Sequence, residues 1–222
     1  MKVIRHAVLS LKAFCSGALP AHIRRAGPPP GFVRLADVAP SIGQDMRYAG
    51  KENFTGRPVP GYRRPSCWLR REVADALVGV ANDAKALGLR LVVYDCYRPQ
   101  RATRAFMAWA ADAADQAMKA AYYPQIDKDE IFAQGYIAKA SAHSLGIAVD
   151  IAFVDKDFGT PFDLFDATSA TAHSDIAPEA RKNRDALFAL MTKHGFENLP
   201  QEWWHFSFMG LMDVKPLDVE IG

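Results

Sequence analysis

The sequence predicts an α+β fold, with a small, mostly antiparallel sheet packed with helices. Three observations predict it. Apolar residues recur at helical spacing in blocks, the strand candidates between them alternate or are β-branched, and the two kinds of segment are not regularly interleaved, as a doubly wound parallel sheet would require. In chain order, Leu69, Val73, Ala76, Leu77, Val80, Ala84 and Leu87 share a helical face, and Gly88 stops that helix. Leu89 to Tyr94 is an apolar, β-branched strand. The next helix starts after Pro99 and runs through Phe106, Trp109 and Met118, favoured by its many alanines. A shorter helix is expected between Asp127 and Gly135, and Ile147 to Phe153 alternates as a strand. Pro178 opens the last helix, which carries Ala186, Leu187, Leu190 and Met191 on one face and ends at Gly195. Trp203 to Phe208 is an aromatic-rich strand.

A chain of 222 residues can bury one sizeable core. Residues 1–30 read as an extension, either a leader or disordered, closed by the Gly27-Pro28-Pro29-Pro30-Gly31 breaker, and 31–222 as a single domain. The formal net charge is +2 and Lys and Arg are scattered, so nothing suggests a nucleic-acid surface and no nucleic-acid partner is expected. The densest basic patch, Arg63, Arg64, Arg70 and Arg71, reads as a solvated turn and helix start. No apolar run approaches the ~20 residues of a membrane span. Cys15, Cys67 and Cys96 are odd in number and match no zinc knuckle, so Cys67 and Cys96 are expected to be buried thiols. Lys2 and Arg5 precede a modest apolar stretch, but Lys12 interrupts it. The balance is against an export signal, and a bacterial cytoplasmic or periplasmic location is expected. Nothing in the sequence sets an oligomeric state.

Three segments carry chemistry. In the first, Ser141 to Asp150, His143 precedes a strand and Gly146 permits a tight entry. On that strand Ala148, Asp150 and Ala152 face one way, so a carboxylate is flanked by methyl-sized neighbours that leave room for a bound group. Taken alone, Asp150 reads as an edge-strand residue on a solvated face. In the second, Glu202-Trp203-Trp204-His205-Phe206-Ser207-Phe208, a polar pair is embedded in aromatics. A lone histidine there reads as a core residue bonded to a carbonyl. Alternation puts His205 with Trp203 and Ser207, so Glu202 can serve the same site only from a turn after Pro200. Together, two imidazoles and a carboxylate suit Zn²⁺ and leave a fourth position for water. Zinc lowers the pKa of that water from ~15.7 to about 7, and Glu202 is placed to take its proton. In the third, Tyr94-Asp95-Cys96-Tyr97-Arg98-Pro99 links a buried strand to a helix. Asp95 can hold the Arg98 guanidinium, and the local sequence reads equally as a structural pair or as a cation fixed near zinc. A donor stabilising an oxyanion is typically worth roughly a hundredfold in rate.

In combination and order, these segments resemble the M15 family of zinc peptidases, and within it the D-alanyl-D-alanine dipeptidases of the vancomycin-resistance type. Asp45 to Tyr62 and Gly159-Thr160-Pro161-Phe162-Asp163 resemble that subfamily too. The resemblance runs from about residue 32 to the C-terminus. It implies the M15/hedgehog-like metallopeptidase fold, one zinc per chain on His143, Asp150 and His205, Glu202 as catalytic base, and Arg98 as the oxyanion partner with Asp95 supporting it. It also implies that Ser141 and Asp163 lie near the substrate's amino end. The reaction implied is hydrolysis of the dipeptide D-Ala-D-Ala to two D-Ala, in a closed pocket that satisfies both of its charges. Two alternatives remain: a D,D-carboxypeptidase acting on peptidoglycan peptides, and a non-catalytic zinc-binding module of hedgehog type, against which the presence of both Glu202 and Arg98 argues. His194 is expected to interact with its helix C-terminus, and no role is assigned to His6, His22 or His173.

Overall fold

A computed structural model describes residues 27–137 and 140–222. In chain order its elements are β1 (Phe32–Arg34), α1 (Leu35–Val38), β2 (Gly43–Gln44), β3 (Trp68–Arg70), α2 (Arg71–Ala86), β4 (Leu91–Asp95), α3 (Gln100–Ala111), α4 (Lys119–Tyr122), α5 (Glu130–Ala133), α6 (Ala142–Leu145), β5 (Ala148–Phe153), α7 (Pro178–Lys193), β6 (Phe196–Asn198) and β7 (His205–Phe208). The main sheet has the order β2-β4-β5-β7-β6, and β1 pairs with β3 in a separate two-stranded ribbon. Among the described strands β2–β4 alone pairs in parallel, and the others pair antiparallel. The α+β expectation with a mostly antiparallel sheet is therefore met.

β5 lies at the centre of the main sheet, and all six of its residues are buried. That corrects the edge-strand reading of Asp150: its strand is paired on both sides. The buried residues of α2 include Val73, Leu77, Val80 and Ala84, and this helix packs against α7. Gly79 permits the approach, because a Cβ there would lie 2.6 Å from the His194 ring. His194 bonds Asp83 of α2 through Nε2 at 2.8 Å, so its ring ties two helices together and does not merely serve its own helix end. Phe54, Phe106, Trp109 and Phe165 form an aromatic cluster with ring centroids 4.8–5.0 Å from that of Phe54.

Several boundaries differ from expectation. Trp68–Arg70 is a strand, so α2 begins at Arg71. α3 ends at Ala111, well before Met118, where the Lys128 ammonium takes the carbonyls of Trp109 at 2.9 Å and Asp112 at 3.0 Å. A cation at the last carbonyls is a stop signal that comes from outside the helix. The helix expected near 127–135 is the single turn α5, and β7 starts at His205 rather than Trp203. Cys67 and Cys96, expected as separate thiols, are joined in a disulfide, and both are fully buried. An odd cysteine count and a separation of 29 residues concealed the pairing. Cys15, His6, His22 and residues 1–26 of the N-terminal extension lie outside the described residues.

Candidate metal centre and substrate pocket

Strand register builds the floor of the site. Asp150 lies directly opposite His205 of β7. On its other side, β4 slips by one residue between Val93 and Asp95, which brings Asp95 opposite Asp150. Regular pairing beyond Val93↔Ile151 would have put Tyr94 there instead. Opposed residues share a face, and a bulge re-aims the side chains beyond it. Asp95, Asp150 and His205 therefore stand abreast on three adjacent strands. His143 arrives from α6. Ser141 caps that turn, its Oγ accepting from the His143 N–H at 3.3 Å. Gly146 ends it at φ +75, where a Cβ would meet the Phe32 ring at 2.2 Å.

Three donor atoms converge. His143 Nε2 lies 3.3 Å from Asp150 Oδ1 and 3.1 Å from His205 Nδ1, and His205 Nδ1 lies 3.1 Å from Asp150 Oδ1. Zinc–ligand lengths of about 2.0–2.1 Å imply edges of about 3.3 Å around one tetrahedral ion, so this triangle has the dimensions of three ligands on a single ion. The Cys96 carbonyl accepts from His143 Nδ1 at 2.6 Å. A carbonyl can only accept, so the proton sits on Nδ1 and the Nε2 lone pair faces the triangle. Among the described residues this is the group of His, Cys, Asp and Glu side chains placed to hold a metal. Asp150 is fully shielded; burial works against its charge, but His143 and His205 hold its pKa below the ordinary carboxylate value.

The triangle opens into a cavity of about 310 Å³, whose lining includes Arg98, Ser141, Asp163, Glu202 and Tyr136. Glu202 reaches in from the turn before β7, as the alternation argument required. Its amide donates to Leu199 O at 3.0 Å, and Asn198 Nδ2 donates to the carbonyls of Glu202 and His205 at 3.0 and 2.9 Å. Burial, with the charge of Asp150, raises the Glu202 pKa to about 7, against the opposing pull of His205 and Arg98. Arg98 donates from Nε to Asp95 Oδ2 at 3.0 Å, and its Nη2 lies 2.9 Å from Asp95 and 4.0 Å from Asp150. The Tyr48 and Phe106 rings lie under its Cζ at 5.2 and 4.9 Å.

Asp163 also lines the cavity, buried and in the left-handed region at φ +64. The Tyr48 hydroxyl donates to its two oxygens at 3.1 and 3.0 Å. Burial, then the charges of Asp150 and Glu202, push its pKa well above the ordinary value. A cationic group arriving beside it would reverse that push. All eight site residues foreseen in the sequence thus come together. Two others were missed: Tyr48, which touches both Arg98 and Asp163, and Tyr62, whose hydroxyl donates to Asp95 at 2.6 Å. Both lie in the Asp45–Tyr62 segment, where only the resemblance signalled importance.

Known proteins match the chain over most of its length. Residues 29–216 match the peptidase M15 family, described as D-Ala-D-Ala dipeptidase. A D-alanyl-D-alanine dipeptidase of Enterococcus faecium is 36% identical over 182 residues, covering 79% of this chain and 90% of that one. One from Enterococcus faecalis is 35% identical over 185 residues, covering 81% and 92%. One from Streptomyces coelicolor is 34% identical over 182 residues, covering 79% and 90%. On a match that spans most of the chain and on relatives this similar, the chain belongs to the peptidase M15 family, the family of the D-Ala-D-Ala dipeptidases.

Proposed function

We propose that this enzyme hydrolyses D-Ala-D-Ala to two D-Ala with one zinc ion held by His143, Asp150 and His205. The observation that carries the proposal is the triangle of donor atoms, 3.1–3.3 Å on each edge, opening into a small cavity lined by Arg98, Asp163 and Glu202. When bound, zinc supplies a Lewis acid for the scissile carbonyl and makes hydroxide accessible near neutral pH. Glu202, lining the cavity beside the triangle, takes a proton from the attacking water and returns it to the departing amine. Arg98, braced by Asp95, donates to the oxygen that gains charge. Asp163 and the hydroxyl of Ser141 receive the substrate's ammonium end, since a buried charge must find a partner.

Glu202→Ala should keep stoichiometric zinc and lose at least about a hundredfold in kcat, the usual contribution of a general base. Normal turnover in the zinc-loaded variant refutes the base assignment. His205→Ala should lose the metal, and retention of one equivalent refutes the ligand set. A longer peptide ending in D-Ala-D-Ala should be a poor substrate next to the free dipeptide. The reverse preference would make the enzyme a carboxypeptidase.

We also propose that the chain matures in an oxidising compartment. The buried Cys67–Cys96 disulfide supports this, because such bonds are rare where glutathione keeps thiols reduced. The sequence argument against export rests on the N-terminus alone, which says nothing of this bond. Alkylation of cells lysed directly into denaturant, which exposes both buried cysteines, should leave the Cys67 and Cys96 peptides unlabelled, and labelling of both overturns the proposal.

A further inference from the structure

We infer that the Cys67–Cys96 disulfide is a positioning element of the metal centre, holding the carbonyl that orients His143. The inference rests on the metal reading above. Four observations carry it. β4 ends at Asp95, so Cys96 lies beyond the ladder that fixes its neighbours. The Cys96 carbonyl nevertheless makes a short contact of 2.6 Å with His143 Nδ1 and thereby selects the tautomer that turns Nε2 toward the ligand triangle. On the far side of the bond, Cys67 is itself fixed: its N–H donates to Gln44 Oε1 at 3.0 Å and its carbonyl accepts from the Leu35 N–H at 3.0 Å. The next residues repeat the tie, with the Tyr97 N–H donating to Trp68 O at 2.9 Å.

The disulfide therefore fastens the end of β4 to the start of β3, and through it the β1–β3 ribbon to the metal-bearing sheet. The residues on either side of Cys96 are both engaged by the site. Asp95 braces Arg98, and the Arg98 N–H donates to His143 O at 3.2 Å. A shift of the Cys96 peptide would rotate the His143 ring and move the guanidinium together. Partners that orient a metal-binding histidine typically govern ten- to a hundredfold of metal affinity or activity.

The test is zinc release. Cys67→Ala/Cys96→Ala protein, loaded with zinc and folded by circular dichroism, is mixed with a chromophoric chelator at a temperature well below its unfolding transition. Release should be at least about tenfold faster than in the parent enzyme, with kcat/KM for D-Ala-D-Ala lowered in step. Gly79→Ala, which crowds the α2–α7 contact far from the metal, controls for lost stability alone and should leave release unchanged. Release within twofold of the parent overturns the inference. So does release that Gly79→Ala accelerates equally. If the double variant does not fold, the zinc-loaded parent is treated with a phosphine, which with water converts the disulfide to two thiols and is itself oxidised to the phosphine oxide. Zinc loss should then track thiol appearance, and zinc held by protein with both thiols alkylated overturns the inference. Absence of zinc from the parent would instead defeat the metal reading itself.

Discussion

Arg98 sits among carboxylates, whereas Arg184 sits among carbonyls. Arg184 is 1% exposed and donates to Phe158 O and Ala170 O at 2.7 Å and to Thr168 O at 3.0 Å. No carboxylate is among those partners, so burial, aided by nearby Arg181, pulls its pKa down to about 10. It remains a cation at neutral pH. Burial opposes the charge of Arg98 as well, but Asp95 and Asp150, with Tyr48 and Tyr62, raise its pKa well above the ordinary value. A guanidinium with fixed counter-charges can turn its free edge to a reacting oxygen. One whose three nitrogens each donate to a main-chain oxygen serves the backbone. The backbone that Arg184 pins is the 158–170 loop, which carries Asp163. In the proposed mechanism one arginine belongs to the chemistry, and the other holds the loop of the residue assigned to the substrate's ammonium.

That division can be broken experimentally. Arg98→Met should cost at least about a hundredfold in kcat/KM while zinc content stays at one per chain. Near-normal turnover would make Arg98 as structural as Arg184. Arg184→Met should leave three buried carbonyls without a charged donor and lower stability by about 3 kcal/mol, read by thermal unfolding. Its kinetic signature should be a raised KM, because Asp163 moves with its loop. A fall in kcat as deep as that of the Arg98 variant would erase the distinction. Tyr48→Phe should raise KM by roughly tenfold, the lower end of what one hydrogen bond to a charged group is worth. An unchanged KM would remove Asp163 from the ammonium site.

The smallest effect belongs to arginines on the surface. Asp218 accepts from Arg101 at 3.0 Å and from Arg104 at 2.7 Å. Burial works to raise its pKa, but those bonds hold it down to about 2. A carboxylate depressed on folding stabilises above its unfolded pKa of about 3.9, and that contribution is lost as pH falls through about 2. Asp218→Asn should therefore cost less than about 1 kcal/mol near neutrality. Acid-unfolding curves of the two proteins should converge near pH 2, and a constant offset across that range would contradict the sign.

What was legible in the sequence was local. Strand parity set Asp150 between two alanines, and the same parity forced Glu202 into a turn, where it stands. Asp95 and Arg98 are three residues apart, and their pairing followed from that spacing. What was not legible depends on distant partners. The bulge in β4 is a property of the pairing with β5, and no local signal marks it. Tyr48 meets Asp163 across 115 residues, and Arg184 meets Phe158 across 26. The end of α3 is decided by Lys128, 16 residues beyond Asp112. β2, at two residues, is too short to show a period.

The decisive measurement is zinc analysis of the purified enzyme joined to an assay of D-Ala release from D-Ala-D-Ala, repeated after chelation and zinc readdition. One zinc per chain, release of two D-Ala per dipeptide, loss of that activity on chelation and recovery on readdition are expected. Protein that holds no zinc, or that turns over the dipeptide equally well with the metal stripped, would contradict a centre built on His143, Asp150 and His205.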